Sequence, residues 1–459
     1  VLDMLNPEQR MAVESIEGPM LVLAGPGTGK TQILGARIGR ILEQTDTSPQ
    51  QILCLTYTEA GVVAMRKRLN TFIGPTAYNV PIHTFHSFCN MVIQENRDYF
   101  MKSLDLNHAS DLDQFRMMKQ LIDAWEADFP LKNSKYPYVI INRLLKLYSY
   151  MKRENETPDS LRLKIDKQIK DIKDDIFIID DTPSNISSSG KSKGNLKVDA
   201  KKYIASLEKT KLASSTFKQY ENLKAKLGLY DYDDMISWVY ESFSENEDML
   251  LSYQERYLYI LIDEFQDNNG IQAEIAYQLA DFWERPNIFV VGDDDQSIFR
   301  FQGANFENIL DFMNSYMDAG LEMVVLRNNY RSVPGILEAS TELIEQNLGR
   351  MVLQDERLKK DLIAAHPSYT QGLEKPLIVA CKNPQEQLAI LVKKIKNLQD
   401  KGTALAEIAI LYRQHKHAND LQKLFNHYNI PFDTRRKEDA LEHPIIKALL
   451  DHLEYIHLE

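Results

Sequence analysis

Short apolar runs recur along the chain, separated by longer stretches in which apolar and polar residues mix. Met20–Ala24 and Ile52–Thr56 are continuous apolar runs of strand length, and each leads into a helix-compatible segment. The same rhythm returns at Leu258–Asp263 and Ile288–Val291, and again at Met323–Leu326, Leu377–Ala380 and Ile408–Tyr412. Strands alternating with helices predict parallel α/β sheets. From about Met101 to Lys226 the pattern changes to long, charged, helix-periodic sequence. There Leu161, Ile165, Ile169, Ile172 and Ile176 recur at steps of three and four, which marks one face of an amphipathic helix. Asp180–Asn195 is Ser/Gly-rich and reads as a loop. The pattern predicts one α/β domain (1–102 and 227–318) interrupted by a mainly helical insertion (103–226), followed by a second α/β domain (319–459).

A length of 459 residues fits this plan at about 150 residues per domain. The chain is 44% hydrophobic and 26% charged, which excludes wholesale disorder. It shows neither an apolar run of bilayer length nor a signal-peptide layout, and a cytoplasmic protein without membrane contact is expected. Cys54, Cys89 and Cys381 are too scattered for a disulfide framework or a zinc site. Charge changes the picture more. With 54 basic and 66 acidic side chains the net charge is −12, so nucleic acid cannot be held by a general positive field. Any such contact must come from a local groove in which aromatic stacking shares the load. Ten lysines against three acids between Lys191 and Lys226 form a basic island, equally readable as a solvated helix face or a phosphate-tracking surface.

The sharpest chemical signal is Met20–Thr31, MLVLAGPGTGKT: a strand, a glycine-rich turn and a helix start. Gly25, Gly27 and Gly29, with Thr28 between, let the backbone curl so that successive amides face phosphate oxygens. Lys30 can reach the β/γ-phosphates of ATP and Thr31 can ligate Mg²⁺. Ala24 stands where the strict pattern has glycine, and Pro26 offers no amide. Tyr257–Asp267, YLYILIDEFQD, is a second apolar strand, ending in Asp263-Glu264. In such enzymes this Asp holds Mg²⁺ and the following carboxylate takes a proton from the attacking water.

Together these residues resemble the UvrD/Rep-type superfamily 1 DNA helicases, in motif order along most of the chain. Leu5–Val13 is similar to the family's Q motif, which implies that Gln9 reads the adenine edge, and the position of Gln32 directly after Lys30-Thr31 implies that it too lies at the nucleotide. Thr56–Leu69 and His83–Phe88 resemble DNA-side motifs and imply DNA contacts by Tyr57, Thr84 and His86. Tyr230–Ile236 implies the same for Tyr232. Asp263–Asp267 carries the family's glutamine. Val290–Ala304 resembles the coupling motif, which implies that Gln296 senses the γ-phosphate while Phe299 and Phe301 stack bases. Asn328–Ser332 implies Tyr330 on the adenine and Arg331 as an arginine finger. Read singly, each of these aromatics would pass for a core residue.

The resemblance implies a P-loop NTPase of two RecA-like parallel-sheet motor domains, the first carrying the helical insertion. It further implies an ATP- and Mg²⁺-dependent 3′→5′ motor on single-stranded DNA and single/double-strand junctions, in repair or recombination, with a nuclease or repair protein as a partner. Several positions depart from the family pattern. Gln32 replaces an adenine-stacking arginine, Glu59-Ala60-Gly61 replaces Asn-Lys-Ala, and Gln302 replaces an arginine. His415 and Asn419 replace an Asn and an Arg. The chain opens at Val1 and stops at Glu459, ahead of the family's last motifs. This predicts an incomplete second motor domain and weak hydrolysis by a piece of a longer protein. The motor part of a helicase–nuclease and a nucleotide-gated DNA clamp are the alternative functions.

Overall fold

The computed structural model describes residues 5–100, 106–132, 135–176, 185–186, 196–297, 307–347, 350, 355–368, 370, 375–434 and 444–458. The chain divides into two compact units, Val1–Lys375 and Pro376–Glu459.

In the first unit, α1 (Pro7–Glu14) leads to β1 (Met20–Ala24), α2 (Lys30–Gln44), β2 (Ile52–Thr56), α3 (Glu59–Ile73), β3 (Ile82–Thr84) and α4 (Phe85–Glu95). The short strand β4 (Asn107–His108) opens a run of four helices: α5 (Asp111–Ala124), α6 (Ile141–Arg153), α7 (Pro158–Lys173) and α8 (Val198–Ser214). These are followed by α9 (Phe217–Lys226) and β5 (Leu229–Tyr230), which pairs with β4. The sheet then resumes through α10 (Tyr232–Glu245), α11 (Glu247–Arg256), β6 (Tyr259–Ile262), α12 (Gly270–Ala280), β7 (Ile288–Gly292), α13 (Glu307–Tyr316) and β8 (Glu322–Leu326).

The six strands run in the order β3-β2-β6-β7-β1-β8, every pair parallel. The central strands are buried at every position, and mostly apolar, because both faces are covered. Successive side chains point to opposite faces, so each strand feeds two cores. Leu21, Leu23, Leu53, Leu55, Ile260, Ile262, Ile288 and Val290 pack on one face, against α4, α10 and α12. Met20, Val22, Ile52, Cys54, Tyr259, Leu261, Phe289 and Val291 pack on the other, against α1 and α2. The helices between Asp111 and Lys226 have their own core, built on Met118, Ile122, Leu144, Tyr148, Leu161, Ile165 and Tyr220.

Three sequence expectations are corrected. Met323–Leu326 does not open a second sheet, because β8 pairs along its whole length with β1 as an edge of the first. Leu377–Ala380 and Ile408–Tyr412 form no regular strand; Ile378 and Leu411 are almost fully exposed. The α7 stripe ends at Ile172, and Ile176 lies beyond the helix and is exposed. Most of Asp180–Asn195 lies outside the described residues. After β8 the first unit adds β9 (Asn328–Asn329), α14 (Pro334–Ile344) and β10 (Ile363–Ala364), which pairs with β9. In the second unit α15 (Pro384–Asp400) packs on α16 (His415–His427) through Val392, Ile395, Leu421 and Phe425. It also contains α17 (Pro444–Leu458).

Candidate functional site

The loop between β1 and α2 is shaped by glycine. Gly27 and Gly29 have φ of 71° and 94°, a region that side chains on Cβ disfavour. A Cβ on Gly27 would also lie 2.7 Å from Arg331 Cβ. Thr28 is fully buried and closes the turn by donating to the Gly25 carbonyl at 2.7 Å. Gln9 donates from Nε2 to the Thr28 carbonyl at 2.8 Å, so α1 buttresses the turn. Asn6 and Gln9 cap α1 reciprocally. Arg37 then fixes α1 on α2, donating to the carbonyls of Ala12, Ser15 and Ile16 while stacking 4.4 Å over Phe289. Burial lowers its pKa to about 10 despite nearby Glu322.

The segment after β8 closes over the same loop. Tyr330 N donates to the Gly27 carbonyl at 2.9 Å, and Asn329 Nδ2 donates to the Pro26 carbonyl at 2.5 Å. Asn329 Oδ1 in turn accepts from the amides of Arg331 and Ser332, which sets the Arg331 backbone beside the glycine turn. The Tyr330 hydroxyl accepts from Asn6 Nδ2 at 3.0 Å. The Arg331 side chain is exposed.

Beyond β6, Asp263 is buried and Glu264 takes φ 50°, a left-handed backbone that costs a non-glycine residue on the order of 1 kcal/mol. The strain aims the Glu264 carboxylate at Lys30, whose Nζ lies 2.6 Å from Oε2. From there a chain of hydrogen bonds crosses the sheet. Gln266 Nε2 donates to Glu264 Oε2 at 2.8 Å, Gln266 Oε1 accepts from Asp293 N at 2.9 Å, and Gln296 Nε2 donates to Asp293 Oδ2 at 2.5 Å. Lys360 anchors that last turn by ion pairs to Asp293, Asp294 and Asp295, and Arg350 forks onto Asp295 at 2.7 and 2.9 Å.

Burial, and then the charge of Glu264, push Asp263 up to about 7 against the pull of Lys30. The same causes raise Asp267 to about 6, and its buried Oδ1 has no hydrogen-bond partner. Buried oxygen donors that resist ionising for want of positive charge suit a hard divalent cation. Thr31 lies half-buried at the start of α2, while Gln32 accepts from Arg68 at 3.3 Å.

A second site lies beside α3, α4 and α10. Tyr57, Thr84, His86 and Tyr232 line one groove of about 580 Å³, closed on its far side by α6 residues including Ser149, Lys152 and Arg153. Tyr232 is exposed, with His86 edge-on at 6.1 Å and His108 tilted against it at 4.2 Å. Burial lowers the His86 pKa, against the pull of Asp233, and so favours the neutral ring. The helical segment is locked here: Lys152 and Lys224, both buried, share Asp231, Asp234 and Glu221, while Arg153 pairs with Asp233. Lys224, from the basic island, is thus a structural cation.

Residues 5–317 match the UvrD/REP helicase N-terminal domain, and residues 324–458 match the UvrD-like helicase C-terminal domain. The chain belongs to the UvrD/REP helicase family. It is 28% identical over 452 residues to a protein named ATP-dependent DNA helicase PcrA in Staphylococcus epidermidis, covering 98% of this chain and 54% of that protein. It is 29% identical over 458 residues to DNA helicase II of Salmonella typhimurium, covering 99% and 55%. The chain spans about half the length of the curated relatives it matches.

In this UvrD/REP chain the structure brings together Gln9, Gly25, Gly27, Thr28, Gly29, Lys30, Glu264, Tyr330 and Arg331 around one turn, and joins Gln296 to it through Gln266. Phe299, Phe301 and Gln302 lie outside the described residues, as does the His415 side chain. Asn329, Asp267, Lys360 and His108 were not singled out from sequence. Asn329 and Asp267 stood inside recognisable motifs, whereas nothing local marked Lys360 or His108. Among the described residues no helix is long and apolar enough to cross a membrane.

Proposed function

We propose that the chain is an ATP-dependent DNA motor: a helicase or translocase on single-stranded DNA, moving 3′→5′ in DNA repair or recombination. In this reading residues 1–102 and 227–318, with β8 added to their sheet, form the first motor domain, 103–226 a helical insertion, and the remainder of 319–459 belongs to the second motor domain. The relatives' names favour a DNA-acting, ATP-driven enzyme. The observation that carries the reading is the hydrogen-bond chain from Lys30 through Glu264, Gln266 and Asp293 to Gln296, because it ties the phosphate loop to the segment that leads towards Phe299 and Phe301.

The amides of the glycine turn and Lys30 bind the phosphates of ATP, and Tyr330 and Gln9 border the adenine. Thr31 and Asp263 would hold Mg²⁺, which when bound neutralises phosphate charge. As Lys30 turns to the γ-phosphate, Glu264 is released to accept the proton of the attacking water. The water oxygen bonds to the γ-phosphorus while the bond to the β–γ bridging oxygen breaks. Arg331 offsets the charge that develops. Released Glu264 also pulls on Gln266, so the state of the phosphate is felt at Gln296. Tyr57, Thr84, His86 and Tyr232 hold the strand at its bases, with Phe299 and Phe301 as further stacking partners, and single/double-strand junctions are the substrate.

The test is ATP turnover by the chain with single-stranded DNA, with RNA of equal length, and with neither. DNA is expected to raise kcat at least tenfold, RNA to have little effect, and Lys30→Ala to abolish turnover. Turnover indifferent to DNA would contradict the reading.

A further inference from the structure

Three carboxylates line the aromatic groove: Glu59, Asp231 and Asp233. Two of them are spent. Asp231 accepts from Lys152 and Lys224, and Asp233 from Arg153 and Ser149. Glu59 differs. Among the described residues it has no ion-pair partner, and its described contact is the Thr84 hydroxyl, which donates to Oε1 at 3.0 Å. Thr84 is buried and locked as the cap of α4, so it holds the carboxylate in a fixed place. Glu59 is also the first residue of α3, where the helix N-terminus favours a negative side chain. Oε2 has no hydrogen-bond partner among the described residues, and the exposed Glu59 lines the groove together with Tyr57, His86 and Tyr232.

We propose that Glu59 selects the base seated in this groove, favouring bases with an exocyclic amino group, such as cytosine, over thymine. The inference rests on the single-stranded-DNA reading of the groove. An ionised carboxylate only accepts hydrogen bonds. Cytosine presents N4–H₂, a donor, where thymine presents O4, an acceptor. The amino group completes Glu59, while thymine's one donor on that edge, N3–H, lies between O2 and O4, so a carboxylate reaching it meets an acceptor on each side. A phosphate cannot take the amino group's place, because the neighbouring cations are engaged with Asp231, Asp233 and Asp234 and a like charge would meet Glu59. The aromatic rings accept either pyrimidine face. Discrimination therefore falls to the carboxylate.

The experiment is equilibrium binding of end-labelled dC20 and dT20 to the full 459-residue chain at fixed low salt, for the wild type, Glu59→Gln and Tyr232→Ala. The wild type is expected to bind dC20 about tenfold more tightly, equivalent to ~1.4 kcal/mol. Glu59→Gln, whose amide both donates and accepts, brings the two within twofold, chiefly by improving dT20. Tyr232→Ala weakens both alike. Equal wild-type affinities, or a preference that survives Glu59→Gln, overturn the role of Glu59 while the groove stands. If neither strand binds, or if Tyr232→Ala leaves both affinities unchanged, the groove reading itself fails and takes the inference with it.

Discussion

At the scale of single residues, the proposed chemistry falls to the carboxylates after β6. Asp263 and Asp267 titrate near 7 and 6 when folded, above the ordinary carboxylate range. A raised pKa contributes stability that is fully present below about pH 4 and lost as pH rises through the folded value. Without metal, the melting temperature is therefore expected to fall by several degrees between pH 5 and pH 8. Asp263→Asn should flatten that slope, and millimolar Mg²⁺ should counter it only above about pH 6. Differential scanning fluorimetry across pH, with and without Mg²⁺, checks this. Glu264→Gln should keep ATP affinity within a few fold but lower the hydrolysis rate at least a hundredfold, read by single-turnover chemistry. Most of this site was legible because Met20–Thr31 encodes strand, turn and helix start in one stretch. Asn329 and Gln266 show what was not. Their roles depend on which backbone groups the fold sets opposite them, Pro26 in one case and Asp293 in the other, hundreds or tens of positions away.

At the scale of elements, two buried cations hold the site's parts in place. Arg37 satisfies three carbonyls at the end of α1, and so positions Gln9 under the glycine turn. Arg37→Met would leave those groups buried and unpaired, at about 1–3 kcal/mol each before relaxation. A urea midpoint shift matching a loss of about 3 kcal/mol is expected, together with weaker ATP binding. Lys360 plays the corresponding part at the turn after β7, compensating Asp293, Asp294 and Asp295. Lys360→Met should cost about 3–5 kcal/mol, because it strands buried charge. Chemical unfolding checks that value. The strands β1, β2, β6 and β7 were readable from apolar runs because each is buried on both faces. Sheet membership was not readable: Met323–Leu326 announces a buried strand, but only the fold shows that its partner is β1. Leu377–Ala380 and Ile408–Tyr412 make the same point from the other side, since an apolar run encodes a wish for burial and a ladder needs a partner.

At the scale of the whole molecule, the proposed function has an acidic chain handle a polyanion by concentrating contact in one aromatic groove whose cations are largely engaged internally. Composition speaks to this much: a net charge of −12 argues against a general positive field. It did not foresee that the helical segment would help wall the groove, because Lys224 stands in a basic island equally readable as a solvated helix face or a phosphate-tracking surface until Asp231 and Asp234 are folded against it. The central claim is that nucleotide state and strand binding are coupled through Lys30, Glu264, Gln266, Asp293 and Gln296. The most direct measurement is the affinity of the chain for a labelled single strand, by fluorescence anisotropy, without nucleotide, with ADP and with a non-hydrolysable ATP analogue. The account predicts affinities differing at least fivefold between nucleotide states, and a difference reduced below twofold in Gln266→Ala. Identical strand affinity in all three states, with nucleotide shown to be bound, would contradict it.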